Sequence, residues 1–136
     1  YWYDIARVFT VGEPSQKLHT YYAAMLAGEQ RAIDEAQPGM TGQELFNLTV
    51  EAVRESGVPH YQRHHVGHGI GVEVYDDVLI TPTNEDIIEE GTVVNIETPY
   101  YEFGFGAVHV EDPFVVHAAS NTLLTTLPRT LGVIER

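Results

Sequence analysis

The sequence contains no cysteine among its 136 residues. It therefore has no disulfide, no thiolate metal ligand and no cysteine nucleophile, and any metal site must be built from histidine, aspartate and glutamate. Basic residues are also scarce, because 7 lysines and arginines stand against 20 acidic residues and give a formal net charge of −13. A field of that sign repels nucleic acids and anionic membranes, so we predict neither as a partner.

Long apolar runs are absent too, since none approaches the roughly 18 residues of a membrane span, and the N-terminus has no signal-peptide pattern. We therefore predict a soluble, cytoplasmic protein. The acidic excess has two explanations, which are solubility and a gathering of carboxylates that hold cations. The chain opens "YWYDIARVFTVG" without a methionine and already reads as a strand in mid-course. We expect that it begins inside a longer polypeptide.

The order of predicted elements indicates an α+β fold rather than a parallel βαβ alternation. Aromatic and β-branched residues predict a strand over residues 1–11, and Ser15 is placed to cap a helix that ends at Pro38. The segment "MTGQEL" contains a capping box, which predicts a second helix to about Ser56. Several short strands follow. Alternation in "GIGVEVY" predicts one of them through Tyr75.

Two later strands each carry a carboxylate among polar neighbours on one face. Because residues two apart share a face of a strand, Asn95 lies beside Glu97, and His109 lies beside Glu111. The intervening valines and isoleucine turn to the opposite, apolar face. A turn region separates the two strands, so we expect the two polar faces to meet across a hairpin.

Two further residues extend this polar set. Asp4 stands between bulky residues in a strand-like run, and His68 lies between two glycines that let backbone come close. Together with Glu97 and Glu111 they form a hard-leaning ligand set, suited to Mn, Co, Fe or Zn, in which carboxylates can bridge two ions and hold a water. Acidic residues in alternating strands are more often solvated than ligating. The residues alone leave both interpretations open.

Four ordered segments carry a resemblance to a known family: "YWYDIARVFTVGEPS", "HHVGHGIGVEVYDD", "VNIETPYYEFGFGAVHVEDPFVV" and "LTTLPRTLGV". Their order and spacing resemble those of the pita-bread metallopeptidases, the family of prolidase, aminopeptidase P and methionine aminopeptidase. The resemblance implies a curved antiparallel sheet with helices on its outer side. It also implies that residues 1–136 are the C-terminal portion of the catalytic domain, with the N-terminal part missing.

The resemblance further implies a site for two divalent metal ions, Mn, Co or Zn, with manganese favoured. By position, Asp4 and Glu111 bridge the two ions, while His68 and Glu97 bind one of them. His64 matches a histidine that serves substrate binding or proton transfer. Family members carry another aspartate about ten residues before Asp4, so we expect the second metal site to be incomplete in this chain and the isolated chain to be inactive.

Two substrate-side positions depart from the family pattern. Tyr75 stands where the family often has a histidine that contacts substrate, and a phenol is a poorer proton shuttle at neutral pH. His109 stands where prolidase-like members often have an arginine, and an imidazole cannot make the bidentate fork of a guanidinium. We predict that both residues bind substrate and alter its selection.

The resemblance implies a peptidase that cleaves the bond before proline with a metal-bridging water. Glu97 then manages the proton and His64 assists the substrate. Two alternatives stay open, which are a creatinase-like or other non-peptide amide hydrolase and a non-catalytic binding or scaffold protein. The partners implied are a peptide substrate and a second copy of the protein in a homodimer.

Overall fold

Two consecutive helices form the first half of the computed structural model, which describes residues 1–135. Helix α1 spans Gln16–Glu35, and the Ser15 side chain caps it by accepting a hydrogen bond from the backbone N–H three residues later. Helix α2 spans Gly42–Glu55 and begins at the capping box that Thr41 forms with Glu44. Both predicted helices are confirmed. Among the described residues, no helix combines the length and apolarity needed to cross a membrane.

Nine short strands complete the described chain: β1 (Phe9–Val11), β2 (Gly67–Gly69), β3 (Asp76–Ile80), β4 (Val93–Glu97), β5 (Tyr100–Glu102), β6 (Gly106–Val108), β7 (Glu111–Val115), β8 (Thr122–Leu123) and β9 (Gly132–Ile134). The main sheet has the order β3-β2-β4-β7-β8 and is antiparallel throughout. Strands β5 and β6 form a hairpin, while β1 pairs with β9 in parallel. The predicted α+β class is confirmed.

The helices and one face of the sheet enclose a continuous apolar core. The residues predicted to face inward, Val94, Ile96, Val108 and Val110, are completely buried. Helix α1 lies very close to α2 at Gly28, where an added Cβ would lie 2.3 Å from a methyl group of Val53. The core therefore fixes one face of β4 and β7, and the opposite face is left for polar side chains.

Two predicted strands are wrong in their extent. Residues 1–8 pair with the main sheet only at Ala6, which bridges to Glu111, and the regular strand begins at Phe9, where the chain leaves to pair with β9. The "GVEVY" segment is a bend rather than a strand. Its backbone is held by the Asp76 carboxylate, which accepts a hydrogen bond from the Val72 N–H, so local bonds replace a sheet ladder.

A buried charge network ties the two ends of the chain to the core. The Asp112 carboxylate is fully buried and lies 2.7 Å from an Arg7 nitrogen and 3.0 Å from Arg129 Nε. Arg129 also pairs with the buried Glu29 of α1. The Arg7 guanidinium donates four further hydrogen bonds, to the carbonyls of Ala6, of Glu111, and of Leu127 and Pro128 near the C-terminus. The network thus fastens the N-terminal segment, β7 and the C-terminal segment to one another.

Burial raises the pKa of Glu29 to about 8 in spite of Arg129, because the charged carboxylate loses its hydration. The folded state then holds a proton that the unfolded state releases above its ordinary pKa near 4.5. The contribution of Glu29 to the free energy of unfolding therefore falls as the pH rises from about 4.5 to 8. The fall is at most about 1.4 kcal/mol for each unit of difference between the folded-state and the unfolded-state pKa.

We expect Glu29→Gln to remove that pH dependence. Measured by denaturant unfolding of the full-length protein, the variant should gain stability relative to the wild type between pH 5 and pH 8. Glu35→Gln, at the exposed end of the same helix, is the matched control and should leave the pH profile unchanged. A constant difference between Glu29→Gln and wild type over this range would contradict the expectation.

Candidate metal centre

The polar face of the main sheet gathers the acidic and histidine residues that the sequence singles out. Strand β2 carries His68 opposite Asn95 of β4, and Glu97 of β4 stands directly opposite Glu111 of β7. Asp4 reaches the same place because its segment bridges to Glu111 through Ala6. The predicted meeting of the two polar faces is confirmed.

Two overlapping groups of ligand atoms result. Asp4, His68 and Glu111 each offer one atom, and these atoms lie within 4.8 Å of one another. Glu97, His109 and Glu111 form a second group by the same measure. Glu111 belongs to both groups, as a carboxylate that bridges two ions would. The resemblance places His68 and Glu97 on one ion, whereas the structure groups Glu97 with His109.

A backbone carbonyl fixes the His68 ring in the tautomer that a metal ligand needs. The ring is almost completely buried, and its Nδ1 lies 2.9 Å from the Gly69 carbonyl oxygen. A carbonyl only accepts, so Nδ1 carries the proton and Nε2 keeps the lone pair that a metal needs. The flanking glycines are required by space, since a Cβ would lie 2.4 Å from the Asn95 carbonyl at Gly67 and 1.8 Å from the Asp77 carbonyl at Gly69.

Glu111 is a buried carboxylate whose charge is not fully compensated by its neighbours. Burial raises its pKa to about 7, the hydrogen bond from Asn95 opposes this, and the charge of Asp4 adds to the rise. The Asn95 amide donates to Glu111 Oε1 over 2.6 Å. A divalent cation would favour the ionised form of this carboxylate. The donor set of carboxylates and one prepared imidazole therefore fits the metal ions that the sequence predicts.

Glu97 lies between two histidines. His65 Nε2 is 2.7 Å from one carboxylate oxygen, and His109 Nε2 is 3.2 Å from the other. Burial by itself raises the pKa of Glu97, but the two histidines, together with His68, outweigh it and hold the pKa below its usual range. Glu97 is therefore ionised and available as a ligand or as a proton acceptor.

The sequence does not identify His65, which strand alternation turns away from the site. Alternation fails there because β2 begins only at Gly67 and the residues before it are irregular. The cluster of three histidines in five positions was the one available signal. His64, the residue that the resemblance selects, is exposed and lines an open cavity with Arg54 and Pro82. The structure does not bring His64 to the carboxylates.

Tyr75 lies over His68 on the polar face of the main sheet. Its ring centroid is 4.2 Å from that of His68, with the two planes inclined by 34°. Desolvation raises the pKa of its phenol, and Glu97, Asp4 and Glu111 raise it further. The hydroxyl therefore stays protonated and serves as a hydrogen-bond donor. Its ring remains more than half exposed, so a ligand can reach it.

Known proteins share this fold. An Xaa-Pro dipeptidase from Bacillus anthracis superposes with a TM-score of 0.88 at 33% identity. The matched region is 96% of this chain and 37% of the dipeptidase chain. An X-Pro aminopeptidase from Thermotoga maritima gives 0.88 at 34% identity with the same coverage. The Xaa-Pro dipeptidase of Pyrococcus furiosus is 34% identical over 128 residues, which are 94% of this chain and 37% of that protein.

These neighbours share the pita-bread fold that the sequence motifs predict, which confirms that fold for this chain. The match to metallopeptidase family M24 covers residues 1–118. The chain belongs to that family. It spans about 37% of the length of the relatives named above.

We expect Asn95→Ala to weaken metal binding, because Glu111 would lose the donor that orients it. Loss of such an outer hydrogen bond typically costs roughly ten- to a hundredfold in metal affinity. The measurement is a calorimetric titration of metal-free full-length protein with Mn²⁺. Asn47→Ala, exposed on α2, is the control and should bind as the wild type does. Equal affinity in Asn95→Ala would show that Glu111 is oriented without the amide.

Proposed function

We propose that the protein hydrolyses the peptide bond before proline as a metal-dependent dipeptidase or aminopeptidase. The observation that carries the proposal is the sharing of Glu111 by two groups of ligand atoms on one sheet face. Relatives named as Xaa-Pro dipeptidases support the choice of substrate. Manganese is the proposed metal, because oxygen ligands dominate the set. A cytoplasmic homodimer is the proposed working form.

Asp4, His68, Glu97 and Glu111 are the proposed metal ligands. Two divalent ions, when bound, polarise the scissile carbonyl and supply a water of lowered pKa as the nucleophile. Glu111 belongs to both groups of ligand atoms and Asp4 to one of them, and the unprotonated Nε2 of His68 completes the group that contains Asp4. The opposite face of the same strands packs in the apolar core. The core therefore fixes the geometry of these four side chains before the substrate binds.

Glu97 is the proposed proton carrier. Its carboxylate is held ionised by His65 and His109, so that it accepts a proton at Oε1 or Oε2 when the amide is attacked. His109 Nε2 also lies 3.6 Å from Glu111, which places an imidazole between both carboxylates. His109 is therefore positioned to move a proton from Glu97 toward the leaving nitrogen.

Tyr75 is proposed to bind the substrate rather than to carry a proton. Its raised pKa keeps the phenol protonated. A protonated phenol is neutral and can donate a hydrogen bond to a carbonyl oxygen. His64, being exposed, is proposed to contact the substrate farther from the reacting bond. His65 is proposed for the inner role, which its contact with Glu97 at 2.7 Å supports.

A non-peptide amide hydrolase is the second candidate. Tyr75 and His109 favour it, because both replace the usual substrate-side residues while the ligand positions are retained. The reaction would use the same carboxylates on a different amide, so the two candidates separate by substrate alone.

We expect the full-length protein with added Mn²⁺ to cleave Ala-Pro, and Glu97→Gln to lose at least about a hundredfold in kcat, which is the usual scale of an acid/base or electrostatic role. The glutamine is nearly isosteric but neither charged nor able to accept the proton. Release of proline is the measurement. Glu51→Gln, exposed on α2, is the control. An intact Ala-Pro in the presence of bound metal would exclude this substrate class and favour the other amide hydrolase.

We expect His64→Ala and His65→Ala to differ in kind. His65→Ala removes a 2.7 Å partner of Glu97 and should lower kcat about tenfold or more, together with a shift in the acidic limb of the pH profile. His64→Ala should raise KM with kcat nearly unchanged, because its ring lies away from the carboxylates. Steady-state kinetics over pH 5–9 provide the comparison, and the reverse pattern would restore the inner role to His64.

A further inference from the structure

Arg63 is unusual among the cationic side chains that the structure describes. Arg7, Arg31, Arg129 and Lys17 pair with carboxylates, and Arg54 donates to a backbone carbonyl. Within residues 1–135 the Arg63 side chain makes neither a hydrogen bond nor an ion pair, and its Nε is buried without a partner. The chain has 20 acidic residues, so a shortage of carboxylates does not explain an unpaired guanidinium.

An aromatic ring holds this guanidinium in place. Its Cζ lies 5.6 Å from the ring centroid of Tyr101, on the β5–β6 hairpin, so the planar group rests against an aromatic face. Stacking orients the guanidinium and leaves its N–H groups free. An unsatisfied buried donor costs free energy until a partner arrives, and a carboxylate is the partner that the fork of N–H groups fits best.

Arg63 lines the same open cavity as His64, and both members of the stacked pair are near Glu97 and its partner His65 in the chain. Arg63 precedes by two residues the His65 that contacts Glu97, and Tyr101 follows Glu97 by four residues. The hydroxyl of Tyr61 is buried without a hydrogen-bond partner. Burial raises the pKa of Tyr61, and Arg63, Glu97 and Tyr101 all act on it, so these groups share one neighbourhood.

We propose that Arg63, stacked on Tyr101, binds a carboxylate of the peptide substrate and so selects anionic peptides. The proposal rests on the proposed peptidase function. His109 lies against Glu97 and Glu111 and has no fork of N–H groups to offer, whereas Arg63 has that fork and no acidic partner of its own. The carboxylate can be the C-terminus of the peptide or an acidic side chain, and both bind through the same two oxygens.

The test compares the full-length enzyme with Arg63→Met on Ala-Pro, Ala-Pro-amide and Asp-Pro-amide. If the C-terminus is bound, kcat/KM for Ala-Pro falls roughly ten- to a hundredfold while both amides are unaffected. If an acidic side chain is bound, only Asp-Pro-amide shows that fall. Arg63→Lys should recover part of the loss, and Arg31→Met, at an exposed ion pair on α1, should change none of the three values.

An equal loss on all three peptides, or no loss on any, would overturn the proposal. Should the enzyme cleave none of them, the peptidase function fails while Arg63 remains testable by equilibrium binding. Calorimetry with the metal-loaded protein then compares proline with prolinamide. At least tenfold weaker binding of proline to Arg63→Met, with prolinamide unchanged, supports the carboxylate site, and equal binding of proline to both proteins rejects it.

Discussion

The β4–β7 pairing sets Glu97 directly opposite Glu111, and the rest of the site depends on that pair. Like charges directly opposite each other on one sheet face destabilise it, more so when both are largely buried. The neighbouring side chains offset this repulsion at Glu97 more than at Glu111. His65 and His109 keep Glu97 ionised, whereas Glu111 has one amide donor and a raised pKa. The remaining deficit of positive charge is the physical reason to place metal ions there.

The opposite face of β7 explains how so strained an arrangement is held. Asp112 points away from the site toward Arg7 and Arg129, so that the strand carrying Glu111 is anchored from behind by these ion pairs, and by the contact of Arg129 with the protonated Glu29, rather than by apolar packing alone. Arg7 also fixes the segment that bears Asp4, because it donates to the Ala6 carbonyl and to the Glu111 carbonyl. The positions of Asp4 and Glu111 are thus set by one buried network.

Much of this arrangement was readable from residue patterns. Alternation placed Asn95 and Glu97 on one face and Val94 and Ile96 on the other, since a half-buried strand has a period of two. The capping box located the start of α2 for an equally local reason. Alternation failed at residues 70–75, where side-chain to backbone bonds override it, and it gave no account of His65, whose direction is set by irregular backbone. Long-range pairs such as that of Arg7 with Asp112 leave no local pattern.

The candidate site has a ligand part, which contains Asp4, His68, Glu97 and Glu111, and a substrate-side part, and charge explains why the two are separable. Ligand geometry requires carboxylates and an imidazole at fixed places on three strands, so a change there would leave the buried charges uncompensated. Substrate selection needs only a cation at a suitable distance, and a guanidinium can be supplied from any neighbouring segment. A loop arginine held by an aromatic ring, as Arg63 is by Tyr101, places that charge without altering the sheet. His109, which lies 3.2 Å from the Glu97 carboxylate, has no such fork of N–H groups to offer.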